Sequence, residues 1–358
     1  MSRGFRHGKE TQQLPLRDRA AGSIYSNVID LSRFIQLFFA KGEVGNRQLL
    51  QPDTIDEMLR PQNEKVTLDF GKQIGLGWFL NYTRNENLKM ASHGGATPLF
   101  RTSLVILPQK KLGVVVLTNS TEGGRIQGKI ANEALKLVLE AKTGRSVENK
   151  DLRIEPPDKM ASEEVLQSFV GKYATLNMLG AVARKEKTLD AYFERYKFRL
   201  IPSSNGKFGV ERKLLGIFPL KKIGNLELAK LQVRRTDVAG RELLTVHNDD
   251  RHWFSAEKID PVTLPQAWEN VLGKYKVINP DLHSSPEDIS LSNKEGVLVL
   301  RYKFPLWYAG TGQTYLIPNS ETEAITSGIG RYSGETMRMI DIDGEKGLSF
   351  WGYMMKKQ

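Results

Sequence analysis

His93-Gly94-Gly95-Ala96-Thr97-Pro98 sets an imidazole beside nearly bare backbone. An imidazole donates, accepts or carries a proton near neutral pH, and paired glycines let another backbone approach closely. Taken alone, the same letters also fit a loop or core histidine next to turn glycines. Two serines precede a lysine at the spacing that would put hydroxyl and ammonium on one helical face, Ser204-Asn-Gly-Lys207 and Ser255-Ala-Glu-Lys258. Ser-Asn-Gly is turn chemistry and would not hold its two side chains on a helix. Ser255 leaves the aromatic run His252-Trp253-Phe254 and leads to Asp260-Pro261, which reads as a module boundary. The five histidines are scattered without H-x-x-x-H spacing, and there is no cysteine. Disulfides, thiolate nucleophiles and zinc–thiolate sites are therefore excluded, and no metal or cofactor is expected.

The elements that must position these residues can be read from spacing. Val28, Leu31, Phe34, Ile35 and Phe38 recur at helical intervals behind Asn27, a good N-cap. Pro52 and Asp53 open a second, shorter helix running through Leu59. Four short strands are then expected at Ile74–Leu80, Lys89–Ala96, Arg101–Leu107 and Gly113–Thr118. They lie too close together for crossover helices, so the sheet should be antiparallel. The uninterrupted apolar run Leu112–Leu117 reads as a central strand buried on both faces. A helix over Arg125–Ala141 should present Ile126, Ile130, Ala134, Leu137 and Val138 along one face and end at Gly144. Residues 1–148 thus form an α+β block of antiparallel sheet with helices.

A charged, proline-containing connector spans 149–163, and the chain beyond it looks duplicated. Phe169-Val-Gly171-Lys-Tyr173 recurs as Val271-Leu-Gly273-Lys-Tyr275, and Leu200-Ile-Pro202 as Leu316-Ile-Pro318. Each copy ends in an aromatic strand, His252-Trp253-Phe254 or Phe350-Trp351-Gly352-Tyr353. Two related all-β, barrel-like modules are predicted, at 164–262 and 263–358. Trp253, Phe254, Trp307, Tyr308 and Trp351 are expected in barrel cores. The net charge of +11 is uneven: residues 181–235 hold 14 Lys/Arg against 5 Asp/Glu, which marks the first module as basic. Such a surface is either simply solvated or binds an anionic polymer, nucleic acid or lipid headgroups. No nucleic-acid module accompanies it, so nucleic acid is not the expected partner. No apolar run approaches the roughly 18 residues of a membrane-spanning helix, and the basic start MSRGFRHGKE lacks the apolar core of a secretory signal.

Two stretches bring a family into view. Ala21-Gly-Ser-Ile-Tyr-Ser-Asn-Val-Ile-Asp30-Leu-Ser-Arg-Phe34, with Leu49-Leu-Gln-Pro52 and Glu57-Met58, resembles the region beyond the second catalytic motif of class C β-lactamase-like and penicillin-binding-protein-like serine hydrolases. Gly75-Leu-Gly-Trp78, His93-Gly94-Gly95-Ala96-Thr97-Pro98, Leu107-Pro108 and Leu112–Asn119 resemble that family's third motif and its flanking strands. The family includes D-alanyl-D-alanine carboxypeptidases, D-aminopeptidases and esterases. The C-terminal modules resemble, more loosely, the lipocalin-like barrels appended to some of these relatives.

The resemblance implies hydrolysis of amide or ester bonds through an acyl-enzyme, with D-amino-acid peptides, β-lactams or small esters as substrates. A helical S-x-x-K supplies the nucleophile, a Tyr in Y-x-N shuttles the proton, and the third motif lines the cleft. Carried over, His93 takes the first position of that motif, and Gly94, Gly95 and Thr97 line the substrate. The backbone N–H of Ala96 would be an oxyanion-hole donor. Tyr25-Ser-Asn27 spells the second motif but falls at the start of the following helix. Lys142-Thr-Gly144 spells the third but ends a helix. The nucleophile, its lysine and the tyrosine are therefore expected on upstream sequence that is not in this chain. The remaining block should expose an apolar face for that missing half in trans or for self-association, and should be inactive alone. The alternative is a non-catalytic binding or scaffold protein built on its two barrels. Family habit suggests the periplasm or cell envelope.

Overall fold

Asn27 opens the first long helix, α1 (Val28–Phe39), by accepting the N–H groups of Ile29 and Asp30 on its side chain. Two of the orphan donors at that helix start are thereby satisfied. Pro52 begins α2 (Pro52–Met58), where its missing N–H costs nothing, and Leu59 caps the end. The computed structural model describes all residues except 1, 13–18, 84–86, 145–160, 176, 195, 204–205, 215–217, 220–221, 224–225, 249–250, 281–284, 305–310 and 331–332. The predicted connector and Ser204, Trp307 and Tyr308 lie wholly or largely outside the described residues. The chain divides into two units, Met1–Lys150 and Asp151–Gln358.

In the first unit, five strands form one antiparallel sheet in sequence order: β1 (Gln73–Ile74), β2 (Phe79–Tyr82), β3 (Lys89–Ala96), β4 (Arg101–Leu107) and β5 (Leu112–Thr118). The predicted strand Ile74–Leu80 is split into β1 and β2 by a turn. Gly75 is required there, because a Cβ would lie 2.2 Å from the Met58 carbonyl oxygen, and Gly77 has a φ of +77°. Trp78 then drops into a core with Phe38, Ile55 and Ile106, its ring edge-on to Phe38 at 5.0 Å. Each such fully buried large side chain contributes about 1.5–3 kcal/mol.

Two sequence expectations fail in this unit. The apolar run Leu112–Leu117 is not a central strand: β5 ends the sheet, and most of its residues are only half-buried. The last helix, α3 (Gln127–Thr143), buries Ala131, Leu135 and Leu139 rather than the predicted face. Ile126 before it, and its own Ile130, Leu137 and Val138, are exposed, Leu137 by 63%. The apolar arc of α3 is wider than one sheet can cover, and helical spacing alone does not say which part of it turns inward.

The second unit holds two closed antiparallel barrels of eight strands. In the first, α4 (Glu163–Phe169) precedes β6 (Gly171–Ala174), β7 (Leu179–Lys185), β8 (Thr188–Phe193), β9 (Tyr196–Pro202) and β10 (Phe208–Glu211). Then come β11 (Leu231–Val238), β12 (Arg241–Asn248) and β13 (Arg251–Ile259), which closes on β6. The second follows α5 (Gln266–Asn270) with β14 (Gly273–Val277), β15 (Glu287–Lys294), β16 (Val297–Lys303) and β17 (Thr311–Pro318). It is completed by β18 (Glu323–Thr326), β19 (Thr336–Ile342), β20 (Glu345–Phe350) and β21 (Tyr353–Lys357), which closes on β14.

The duplicated letters have a common cause. Gly171 and Gly273 both take positive φ with the aliphatic chain of a closing-strand lysine, Lys258 or Lys357, where a Cβ would be. Tyr173 and Tyr275 turn inward and donate to the carbonyls of Phe169 and Val271 in the plug before each barrel. Burial pushes the Tyr275 phenol up to about 12 and raises Tyr173 as well. Both interiors are filled by side chains, around Phe169, Phe208 and Leu244 in one and Trp268, Leu298 and Met337 in the other. Phe254 and Trp351 pack against these cores as expected. Trp253 does not: it occupies a register shift between β12 and β13 and is 49% exposed.

Candidate active site

His93–Ala96 form the C-terminal half of β3, and the register decides what that half offers. β2 pairs with β3 only along Lys89–Ser92, whereas β4 accompanies it from Ala91 to Ala96. From His93 onward, β3 has a strand partner on one side only among the described residues. The hairpin to β4 is closed by the Thr97 N–H donating to the Phe100 carbonyl at 3.0 Å. Antiparallel pairing alternates, so counting back from that bond the polar backbone groups of Gly95 and His93 face β4. Those of Ala96 and Gly94 face the open edge. An unpaired stretch of this kind presents N–H and C=O to an incoming extended chain.

The side chains along this edge fit the same description. His93 is exposed and its ring stacks on Phe79 of β2, with centroids 5.8 Å apart and planes 26° apart. Sequence reasoning did not single out Phe79. It follows the Gly75–Trp78 motif directly, but only the Phe79↔Ser92 register brings it beside His93. The two glycines differ in their reasons. A Cβ on Gly95 would fall 2.5 Å from the Thr102 hydroxyl, so the cross-strand threonine forbids one. At Gly94 nothing comes nearer than the Thr102 carbonyl at 3.4 Å, so its bareness leaves the surface accessible instead. Thr97, the third residue expected to line the substrate, spends its hydroxyl on the turn by accepting the Phe100 N–H at 3.1 Å. Arg101 stiffens the same turn by donating to the Phe100 carbonyl at 2.8 Å and to that of Thr97.

The formal motif matches are used up elsewhere. Asn27 caps α1, and its amide also donates to Asp30 at 2.7 Å. Gly144 is the left-handed cap of α3, while Lys142 donates to the Lys110 carbonyl at 2.7 Å. Ser255 and Lys258 lie three apart on strand β13, which sends them to opposite faces rather than to one. Ser255 is buried and bonded to His252 at 2.6 Å, whereas Lys258 pairs with Glu242 at 3.1 Å. Among the described residues, no group of three or more His, Asp or Glu side chains could hold a metal ion, and no helix is long and apolar enough to cross a membrane.

Residues 3–137 match the family model described as Beta-lactamase. No curated protein matches the chain. Among solved structures it is similar to SurE, at 21% identity and a TM-score of 0.38, covering 59% of this chain and 43% of that one. SurE with D-Leu gives 19% and 0.40, covering 64% and 49%. The octameric penicillin-binding protein homologue from Pyrococcus abyssi gives 14% and 0.29, covering 80% and 46%. The chain thus spans less than half the length of each of these proteins. The residues that match the Beta-lactamase family model include α1, α2, all five strands of the sheet around His93–Ala96 and the first part of α3.

Proposed function

We propose that the first unit is the cleft wall of a serine hydrolase that cleaves amide or ester bonds through an acyl-enzyme. Its substrates would be D-amino-acid peptides, β-lactams or small esters. The free edge of β3 at His93–Ala96 is the observation that carries this reading. Gly94 and Gly95 would let the substrate backbone lie along the strand, and the Ala96 N–H would help bind the tetrahedral oxyanion. His93, steadied on Phe79, would support the proton-shuttling group and the substrate's polar end. The helical nucleophile, its lysine and the tyrosine would come from polypeptide outside these 358 residues. The unit's outward apolar side chains on α1 and α3, such as Val28, Ile29, Leu137 and Val138, are what such a polypeptide would cover.

The test is co-expression with a Beta-lactamase-family polypeptide bearing helical S-x-x-K and Y-x-N, followed by labelling with fluorescent penicillin or a fluorophosphonate. The adduct should form on that polypeptide, only in the presence of this chain. Ala96→Pro, which deletes the N–H, should slow acylation by about 10²–10³-fold. An adduct on Ser204 or Ser255 of this chain alone would overturn the assignment, as would equal labelling of the polypeptide without it.

A further inference from the structure

The two barrels share one register, so their positions can be equated pair by pair. Lys185↔Thr188 at the β7–β8 turn matches Lys294↔Val297, and Leu189↔Leu200 matches Leu298↔Leu316. The outward positions Glu186, Thr188, Asp190, Lys197 and Arg199 of the first barrel thereby correspond to Glu295, Val297, Val299, Gln313 and Tyr315 of the second.

In the second barrel this outer face is an interface. Val297, Val299 and Tyr315 are buried against Ala174, Leu179 and Ile259 of the first barrel. Tyr315 also donates to Glu194, Gln313 to the Asn177 carbonyl at 3.4 Å, and Glu295 pairs with Lys172.

In the first barrel the corresponding face has exchanged its apolar groups for charge. Asp190, buried where Val299 would be, is held by Lys197 at 3.0 Å and Arg199 at 3.5 Å, one carboxylate between two cations. Beside it Lys185, Lys187, Thr188 and Arg199, with Glu186, line a shallow notch. Lys185 and Lys187 are exposed and have no carboxylate within ion-pair distance among the described residues. Ammonium, guanidinium and hydroxyl groups converge there from a turn and three strands. Donors spread in this way suit a tetrahedral oxyanion better than a planar carboxylate, which is best met by a coplanar fork.

We propose that the outer face of β8–β9 is a binding surface for a phosphate-bearing polyanion, with one phosphate seated between Lys185, Lys187 and Arg199. It is the charged counterpart of the face by which the second barrel docks on the first. The inference is independent of the hydrolase reading, because it concerns neither His93 nor the sheet unit.

Inorganic polyphosphate serves as the probe, poly-glutamate of matched length as the carboxylate comparator, and the full chain as the protein, titrated at several salt concentrations. Polyphosphate should bind with salt-dependent affinity and poly-glutamate at least about tenfold more weakly. Lys185→Glu with Lys187→Glu should weaken polyphosphate binding about tenfold or more and reduce the salt slope by about 2. Both lysines are exposed, so unchanged circular dichroism and Tm will establish that the variant is folded. Lys274→Glu with Lys303→Glu, on the second barrel, should leave binding unchanged. Four results would each overturn the proposal: no polyphosphate binding, equal loss in both double variants, no loss in the first, or preference for poly-glutamate.

Discussion

The sheet unit and the barrels dispose of their apolar side chains in opposite ways. Of the 21 large apolar side chains exposed among the described residues, 16 lie between Ile24 and Val138, so the shorter unit carries most of the apolar surface. A barrel closes on itself, leaves no strand edge and turns one face of every strand into a common core. The five-stranded sheet has two edges, and β5, the strand with the most continuous apolar run, is one of them. The difference shows which part of the chain buries its apolar side chains among its own residues and which leaves many of them exposed.

The barrels should therefore be far more sensitive to core truncation than the sheet unit is to changes on its outward faces. The largest expected effect is Trp268→Ala. That side chain is fully buried and its indole N–H donates to the Ser320 carbonyl at 2.9 Å. The change should cost about 3–5 kcal/mol in urea unfolding. Next comes Gly328→Ala, at a φ of +89° where a Cβ would lie 2.6 Å from the Thr175 carbonyl carbon of the neighbouring barrel. It should cost about 1–3 kcal/mol, and the two barrels, which the contact between them should make unfold together, should then unfold in two transitions. Preservation of one transition would mean that the barrels do not depend on this close approach.

On the sheet unit, Leu137→Ser with Val138→Ser should change stability by less than about 0.5 kcal/mol while lowering the binding of a hydrophobic dye. A large destabilisation would place that face of α3 in a core and erase the contrast.

The smallest effect concerns pH. Hydrogen bonds from the Ser120 hydroxyl and the His7 backbone N–H hold the Glu122 carboxyl at about 2, below its ordinary 4.5. A carboxyl lowered by folding stabilises the fold when ionised, so its contribution is whole above about 4.5 and fades as pH falls toward 2. Glu122→Gln should flatten the acid limb of stability in that window, lowering stability modestly at neutral pH and leaving it nearly unchanged near pH 2.

Much of this was legible in the residues. Strands β3 and β4 have the limits their turn residues predict, and Asn27, Pro52 and Gly144 sit at the helix ends where their backbone chemistry belongs. The repeated Gly-Lys-Tyr starts announced two barrels because each needs a glycine against a closing lysine and an inward tyrosine. Less legible was which way an apolar residue faces when more of them exist than one neighbour can cover. Leu137, Val138 and the run Leu112–Leu117 were misplaced for that reason. Trp253 was misplaced because one extra residue in β13 shifts its register.

Local backbone chemistry thus determined where many elements start and stop, and that the C-terminal half is duplicated. Only the tertiary structure decided that β2 stops short of His93, that Phe79 lies beneath its ring, and that one barrel's charged face is the other's docking face. Those facts depend on register between strands distant in sequence. Register is set by the sum of cross-strand contacts, and no short run of residues encodes it.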